Sequence, residues 1–477
     1  MSSSAAVGRV FGAASVALFG VAAYLAYGTQ TSKHTQLVVQ PARPLVPPAP
    51  VSAEGGGGSS SISSSSTGAS AFPIVLPPRT AAAQAAALSD SFAQQCAEAA
   101  VHGLPSTAEV RCYGGYLASL NYERRIPNWV MEVVDYRRLR AGRRPTSASG
   151  GDEDGTSGGE GEEDGSEVSR KGSNFYADDT VPAAFRVGPD SYTARGMSRG
   201  HLAPAQLHKA SQAEMDSTFN MNANIVPQDM TLNAVDWLRL EGLTRKLSKE
   251  VGDGKHSQAG GAGGRVYVVT GPAFVPRLVR VERRPDGAEV HVPLSPADPS
   301  AAPRKAGAAA ASPVKTVLTY ELTGDATRGN LVAVPSHMFK VFLAEEDGGR
   351  SHSAAAFMMP NGPITEQLPL TAYQVPIDRL QRITGLQFFP GMDATRLPDL
   401  CKSHKCDARP SALFQRYRQV AQLRAADSVP RLRQTYAALQ AAAAGGKLDD
   451  AVQREFEKRT EELVAEAVGP LDRAERR

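Results

Sequence analysis

Cysteine is scarce. Four residues in 477 are too few and too scattered for a disulfide framework. Cys96 and Cys112 are therefore expected to be buried or free thiols. The run Cys401-Lys402-Ser403-His404-Lys405-Cys406 suggests zinc at first sight, but no second ligand pair stands at usable spacing, and a loop with incidental thiols is the simpler reading. Acidic residues are missing altogether before Glu54, and the 18 residues from Val10 to Tyr27 carry no charge, with Arg9 just ahead of them. A helix of that length reaches about 27 Å at about 1.5 Å per residue, enough for a bilayer core. A start rich in serine and free of acids reads as a mitochondrial targeting segment merged with a membrane anchor over residues 1–30; a secretory signal peptide is the rival.

What is abundant is also informative. The 44 glycines and 33 prolines are concentrated in tracts. Residues 31–90 read as a disordered linker, and 146–170, 252–264 and 285–315 as flexible insertions, because such compositions bury too little apolar surface to offset the entropy of ordering. One globular unit, residues 91–400, is expected between them. Net charge is +3, but eight acids (Asp152, Glu153, Asp154, Glu160, Glu162, Glu163, Asp164, Glu167) fall within 151–167 without a Lys or Arg. The remainder sets 52 basic residues against 41 of the 49 acids, a balance suited to a polyanionic partner.

Short runs rich in β-branched and aromatic residues, bounded by Gly or Pro, predict strands at Trp129–Val134, Val266–Thr270, Val317–Leu322, Leu331–Val334 and Met338–Leu343. Apolar residues at 237, 240, 243 and 247 have the helical period, so a helix is expected to open at Asn233, with a shorter one at Ile377–Thr384. The fold class is α+β, with a central, mostly antiparallel sheet. Residues 401–477 are expected to form a helical extension, in two helices at 411–443 and 448–467, packed on the main domain as an appended hairpin or serving a partner.

Chemistry is concentrated in residues 197–241. Arg199-Gly200-His201 places a guanidinium beside an imidazole; Asn224, Asn233 and Glu241 follow. A neutral imidazole with an ordinary pKa near 6.5 can take a proton from water. The planar fork of Arg199 suits phosphate oxygens. Asn233 and Glu241 stand about 12 Å apart along a helix axis, at about 1.5 Å per residue, so they cannot both ligate one ion directly. Asn233 then serves as an oxygen ligand, with Glu241 acting through water, an arrangement that fits Mg²⁺ better than zinc. Among the other histidines, His208 and His337 read as structural and His102, His256, His291 and His352 as loop residues, none expected to be essential.

These residues resemble the non-specific DNA/RNA endonucleases of the ββα-metal class, and among them the mitochondrial endonuclease G branch. The resemblance rests on Arg199-Gly200-His201, Asn224-Ile225-Val226-Pro227-Gln228, Leu232-Asn233 and Leu240-Glu241. It extends from Gly103-Leu104-Pro105 to Phe389-Pro390 and takes in Trp129–Glu132, Tyr267–Pro272, Val334–Val341 and Met359-Pro360-Asn361. It implies His201 as general base, Asn233 as metal ligand, Glu241 as holder of water on the metal, and Arg199 and Asn224 in support. It further implies Mg²⁺, with Mn²⁺ as substitute, DNA and RNA as substrates, a homodimer, and the inner mitochondrial membrane or intermembrane space as the location. Two positions depart from the family pattern. Ser198 stands where the motif has Asp, removing a charge beside the cleft, and Tyr176 stands where the family often has a basic residue. A membrane-anchored nucleic-acid-binding scaffold on a weakened nuclease fold is the alternative reading.

Overall fold

The computed structural model describes residues 72–78, 80–141, 168–192, 196–253, 263–294, 313–364, 368–406, 412–443 and 446–475, all in the compact unit Gly68–Arg477. The uncharged run Val10–Tyr27 and the acidic run 151–167 lie outside the described residues. Among the described residues no helix is long and apolar enough to cross a membrane.

The strands in chain order are β1 Val110–Tyr113, β2 Tyr116–Ser119, β3 Trp129–Val134, β4 Met197–His201, β5 Ile225–Asp229, β6 Arg265–Ala273, β7 Arg277–Arg283, β8 Glu289–Pro293, β9 Val314–Val317, β10 Glu321–Thr323, β11 Val332–Val334, β12 His337–Glu346, β13 Ser351–Pro360 and β14 Gln374–Val375. Seven of them form the main sheet in the order β1-β2-β3-β6-β12-β13-β14, antiparallel at every pairing. This is the expected α+β architecture. The inner strands β6 and β12 are apolar nearly throughout because both of their faces are covered.

The longer helices are α1 Ala82–Ala99, α2 Trp237–Gly252, α3 Ile377–Thr384, α4 Ala412–Arg424, α5 Val429–Ala442 and α6 Asp450–Glu475. On one face of the sheet, Val130, Val268, Met338 and Phe342 pack with Leu240, Leu243 and Leu247 of α2. On the other, Met131, Val269, Phe339 and Val341 pack with Phe92 and Cys96 of α1 and Leu380 of α3. The apolar spacing at 237, 240, 243 and 247 is the stripe by which α2 sits on the sheet.

Beside this sheet stand β4 and β5, an antiparallel pair with His201 opposite Ile225 and Ser198 opposite Gln228. None of the strands read from the sequence falls between His201 and the helix. The structure puts β5 there, hidden by Pro227, which argues against a strand unless the strand lies at an edge. The helix also begins earlier than Asn233. Asp229 accepts from the backbone N–H groups of Thr231 (2.9 Å) and Leu232 (3.0 Å) and so caps it, and Asn233 falls within a widened π turn, Leu232–Asp236, that runs into α2.

Other expectations need correction. The insertion 285–315 is partly ordered: β8 and β9 flank β7 in a three-stranded sheet, while 295–312 lies outside the described residues. The run Val317–Leu322 is split between β9 and β10, which pair with different partners, β7 and β11. Among the described residues the single helix expected over 411–443 is two, Ala412–Arg424 and Val429–Ala442, the second opened by Ser428 and Pro430. Leu423, Ala426, Leu432, Val452 and Leu463 give the extension a small core. It is fastened to the main domain through Arg418 of α4, whose Nη2 donates to both oxygens of Asp236, at 3.1 and 2.9 Å. Asp236 also receives Nη1 of Arg239 at 2.8 Å, so the carboxylate at the end of the π turn is buried between two guanidinium groups.

The cysteines are not free: buried Cys96 pairs with buried Cys112, and partly buried Cys401 with buried Cys406. Pairing depends on α1 lying against β1, a contact that spacing alone does not reveal. The first bridge closes a separation of 16 residues. A loop of that size corresponds to about 3 kcal/mol of stability through restriction of the unfolded chain. A Cys96→Ser, Cys112→Ser double variant is expected to lose stability on that order in urea melts, and reduction of the parent protein, which also opens Cys401–Cys406, should cost at least as much.

Candidate active site

The strand pair β4–β5 sets the cleft residues. Side chains alternate along β4, so Arg199 and His201 share one face while Ser198 takes the other. Gly200 is required at the turn of this alternation. A Cβ there would lie 2.1 Å from Oε1 of Gln228 and 2.6 Å from its Cβ. The Ser198 hydroxyl donates to the Gln228 carbonyl at 3.0 Å. The departure from the family pattern thus falls on the far face of the pair, and the expected loss of charge beside His201 is corrected accordingly.

Asn224 is fully buried and spends its amide on the backbone. Its Nδ2 donates to the carbonyls of Ala203 (2.9 Å) and Thr218 (2.8 Å), and its Oδ1 accepts from the Ala203 N–H at 2.8 Å. The structure therefore gives Asn224 a positioning role, holding the chain just after His201. Arg199 donates Nη2 to the Pro189 carbonyl at 3.0 Å and lies 5.1 Å from the centre of the Phe175 ring.

His201 ends β4 among aromatic rings, with centroids of Phe219 at 5.0 Å and Phe175 at 5.6 Å. Burial, assisted by the positive fields of Arg170 and His208, pushes its pKa down to about 3. The imidazole is neutral, and its Nε2 is shielded and has no hydrogen-bond partner. Tyr176 packs with Phe175 and Val168 against the Ala205–Met215–Phe219 cluster, beside the same rings that surround His201.

Two further positions supply oxygen. Asn233 is half-buried, and its side chain makes no hydrogen bond to the described residues. Glu241, on α2, is buried; burial raises its pKa, opposed mainly by Lys340 and Arg245. An unpaired amide and a carboxylate without a direct hydrogen bond are the donor set a hard divalent ion takes.

The sequence reading missed the charges beneath the site. Lys340 is completely buried on β12; its ammonium donates to Thr270 Oγ1 at 2.7 Å and to the Leu202 carbonyl at 3.4 Å. His208, expected to be merely structural, lies 2.9 Å from Glu132 Oε2 and 3.4 Å from Glu214 Oε1. Against the opposing pull of burial, these two carboxylates raise its pKa to about 9. Arg170 and Arg245 add positive charge around Glu241, and Arg170 also acts on His201. Only Arg245 carried a readable signal, four residues after Glu241 on the same helical face.

Residues 97–395 match the family described as DNA/RNA non-specific endonuclease. The mitochondrial nuclease EXOG of Danio rerio is 31% identical over 363 residues, spanning 76% of this chain and 84% of that protein. The mitochondrial endonuclease G of Homo sapiens is 30% identical over 295 residues, spanning 62% of this chain and 74% of that protein. A solved structure, described as the EndoG/EndoGI complex, aligns at 25% identity with a TM-score of 0.44, covering 63% of this chain and 94% of that one.

The pKa of His208 yields a signed expectation. A histidine raised from 6.5 to about 9 stabilises the fold fully below pH 6.5, and that contribution is lost as pH rises through about 9. At about 1.4 kcal/mol per pKa unit the loss is on the order of 3 kcal/mol. Urea melts between pH 6 and 10 should show this decline, and His208→Gln should flatten it; an equal decline in the variant would assign it to other groups.

Proposed function

This chain belongs to the DNA/RNA non-specific endonuclease family, and from that membership we propose that it hydrolyses phosphodiester bonds of both DNA and RNA with His201 as general base. The observation that carries the proposal is the His201 Nε2: buried, neutral and free of any hydrogen-bond partner at the end of β4. A nitrogen in that state is ready to accept a proton from an attacking water. Arg199, on the same face of β4, and Arg170, whose charge reaches His201, would draw the phosphate into the cleft. The negative phosphate in turn favours the imidazolium that forms on proton transfer, offsetting the depression that burial imposes. Asn224 holds the backbone at 203 and so fixes the imidazole's approach.

Mg²⁺ is the proposed metal, with Mn²⁺ able to replace it. Asn233 would hold the ion by its amide oxygen and Glu241 through water, and the ion would neutralise charge on the departing 3′ oxygen. The basic balance of the chain outside residues 151–167 supports nucleic acid of either sugar as substrate.

The proposed location is the mitochondrion, with residues 1–30 held in the inner membrane and the nuclease in the intermembrane space. The relatives carry mitochondrial names, and the uncharged run Val10–Tyr27 is long enough for an anchor. Two disulfides support an oxidising compartment. A homodimer is proposed on the family resemblance.

His201→Ala is expected to lose several orders of magnitude in plasmid nicking while gel shifts show nucleic-acid binding retained, since binding rests on Lys and Arg contacts to phosphate. Cleavage near the parent rate would remove the mechanism. Asn233→Ala and Glu241→Ala separate the two oxygen sites. In a Mg²⁺ titration the first should stay weak at every concentration and the second should recover part of its activity as the metal rises. A Glu241→Ala variant indistinguishable from the parent would reduce that residue to part of the helix surface.

A further inference from the structure

On the sheet face opposite α2, three side chains from separate segments converge. Glu345 of β12 and His352 of β13 are directly paired across the strands. His102 comes from the turn after α1, where its carbonyl accepts the Gly391 N–H at 2.9 Å; a side chain on Gly391 would meet that carbonyl at 3.0 Å. Oε2 of Glu345 lies 3.0 Å from Nε2 of His102 and 3.7 Å from Nε2 of His352. One ligand atom from each of the three falls within 4.8 Å of the others.

We propose that His102, Glu345 and His352 form a second metal site, separate from the catalytic cleft, that takes Zn²⁺ with water in the fourth position. Tetrahedral zinc with bonds of about 2.0–2.1 Å holds its ligand atoms about 3.4 Å apart, which the two measured separations bracket. Two imidazoles and a carboxylate suit zinc; Mg²⁺ prefers an all-oxygen shell.

A simple ion pair accounts for less. One histidine suffices to pair Glu345, yet Nε2 of His352 turns to the same carboxylate and is shielded without a hydrogen bond of its own. Such a nitrogen costs stability unless something takes its lone pair. The rings are held in place: His102 packs edge-on against Tyr267 with centroids 4.5 Å apart, and against His352 at 5.6 Å.

The position indicates a structural ion. It would tie the turn after α1 to the β12–β13 hairpin, on the face away from Lys340 and Glu241. Zinc there would stabilise the fold by mass action and leave the cleft untouched.

The test uses the full chain, stripped of metal by chelation and kept in excess Mg²⁺ so that the catalytic site does not compete. Calorimetric titration with Zn²⁺ should show one tight equivalent, weakened at least about tenfold by His352→Ala and by His102→Ala. Asn233→Ala should leave it intact. Co²⁺ as a probe should give the visible bands of a tetrahedral ion, absent from the His352→Ala variant, whose unchanged nicking activity would show that it remains folded. Equal zinc affinity in the parent and His352→Ala would overturn the proposal. So would loss of the tight equivalent in Asn233→Ala, which would place the ion in the cleft.

Discussion

A single buried ammonium ties the turn after β4 and helix α2 to the main sheet. Lys340 stands on β12 with no solvent to share its charge, and removing such an ion from water costs several kcal/mol unless other groups compensate. The compensation comes from Thr270 on β6, the Leu202 carbonyl next to His201, and the carboxylates of Glu132 and Glu241. The indole of Trp237, at the start of α2, lies 5.5 Å from the ammonium. The partners come from β3, β6, α2 and the turn after β4, so the requirement to satisfy one charge fixes strand, loop and helix relative to each other. The register that brings Lys340 opposite Thr270 is thus also the register that gathers Glu132, Glu241 and the Leu202 carbonyl around one charge.

Above that ammonium two imidazoles are driven in opposite directions. His201, surrounded by aromatic rings and positive neighbours, stays neutral; His208, between two carboxylates, stays charged. Neither state follows from the residue type, and their separation assigns different tasks to each. One side chain is left able to accept a proton, while the other supports the fold and adds to the positive field that keeps its neighbour unprotonated.

The helix that carries Glu241 was legible in the sequence through the apolar period at 237, 240, 243 and 247. The proposed roles of Arg199, His201, Asn233 and Glu241 came from the family resemblance. The main sheet was legible through β-branched and aromatic runs such as Trp129–Val134. β5 was not, because Pro227 masked it, and β8 and β9 were hidden in a stretch whose Pro and Ala content resembled a linker. The disulfides and the role of His208 were beyond reach for a different reason. His208 and Glu132 are 76 residues apart, and Cys96 meets Cys112 only when α1 has docked. Compensation of buried charge and pairing of thiols are properties of the packed chain, invisible to local pattern.

The grip of Arg418 on Asp236 bears on when this enzyme can come into being. Asp236 closes the π turn that presents Asn233, and one of its two counter-ions is contributed from α4, after the whole of the main sheet. A polypeptide not yet extended to α4 holds Asp236 against Arg239 alone. The turn that carries Asn233 therefore gains its second counter-ion only when α4, which follows the whole of the main sheet, has been made and has packed against it.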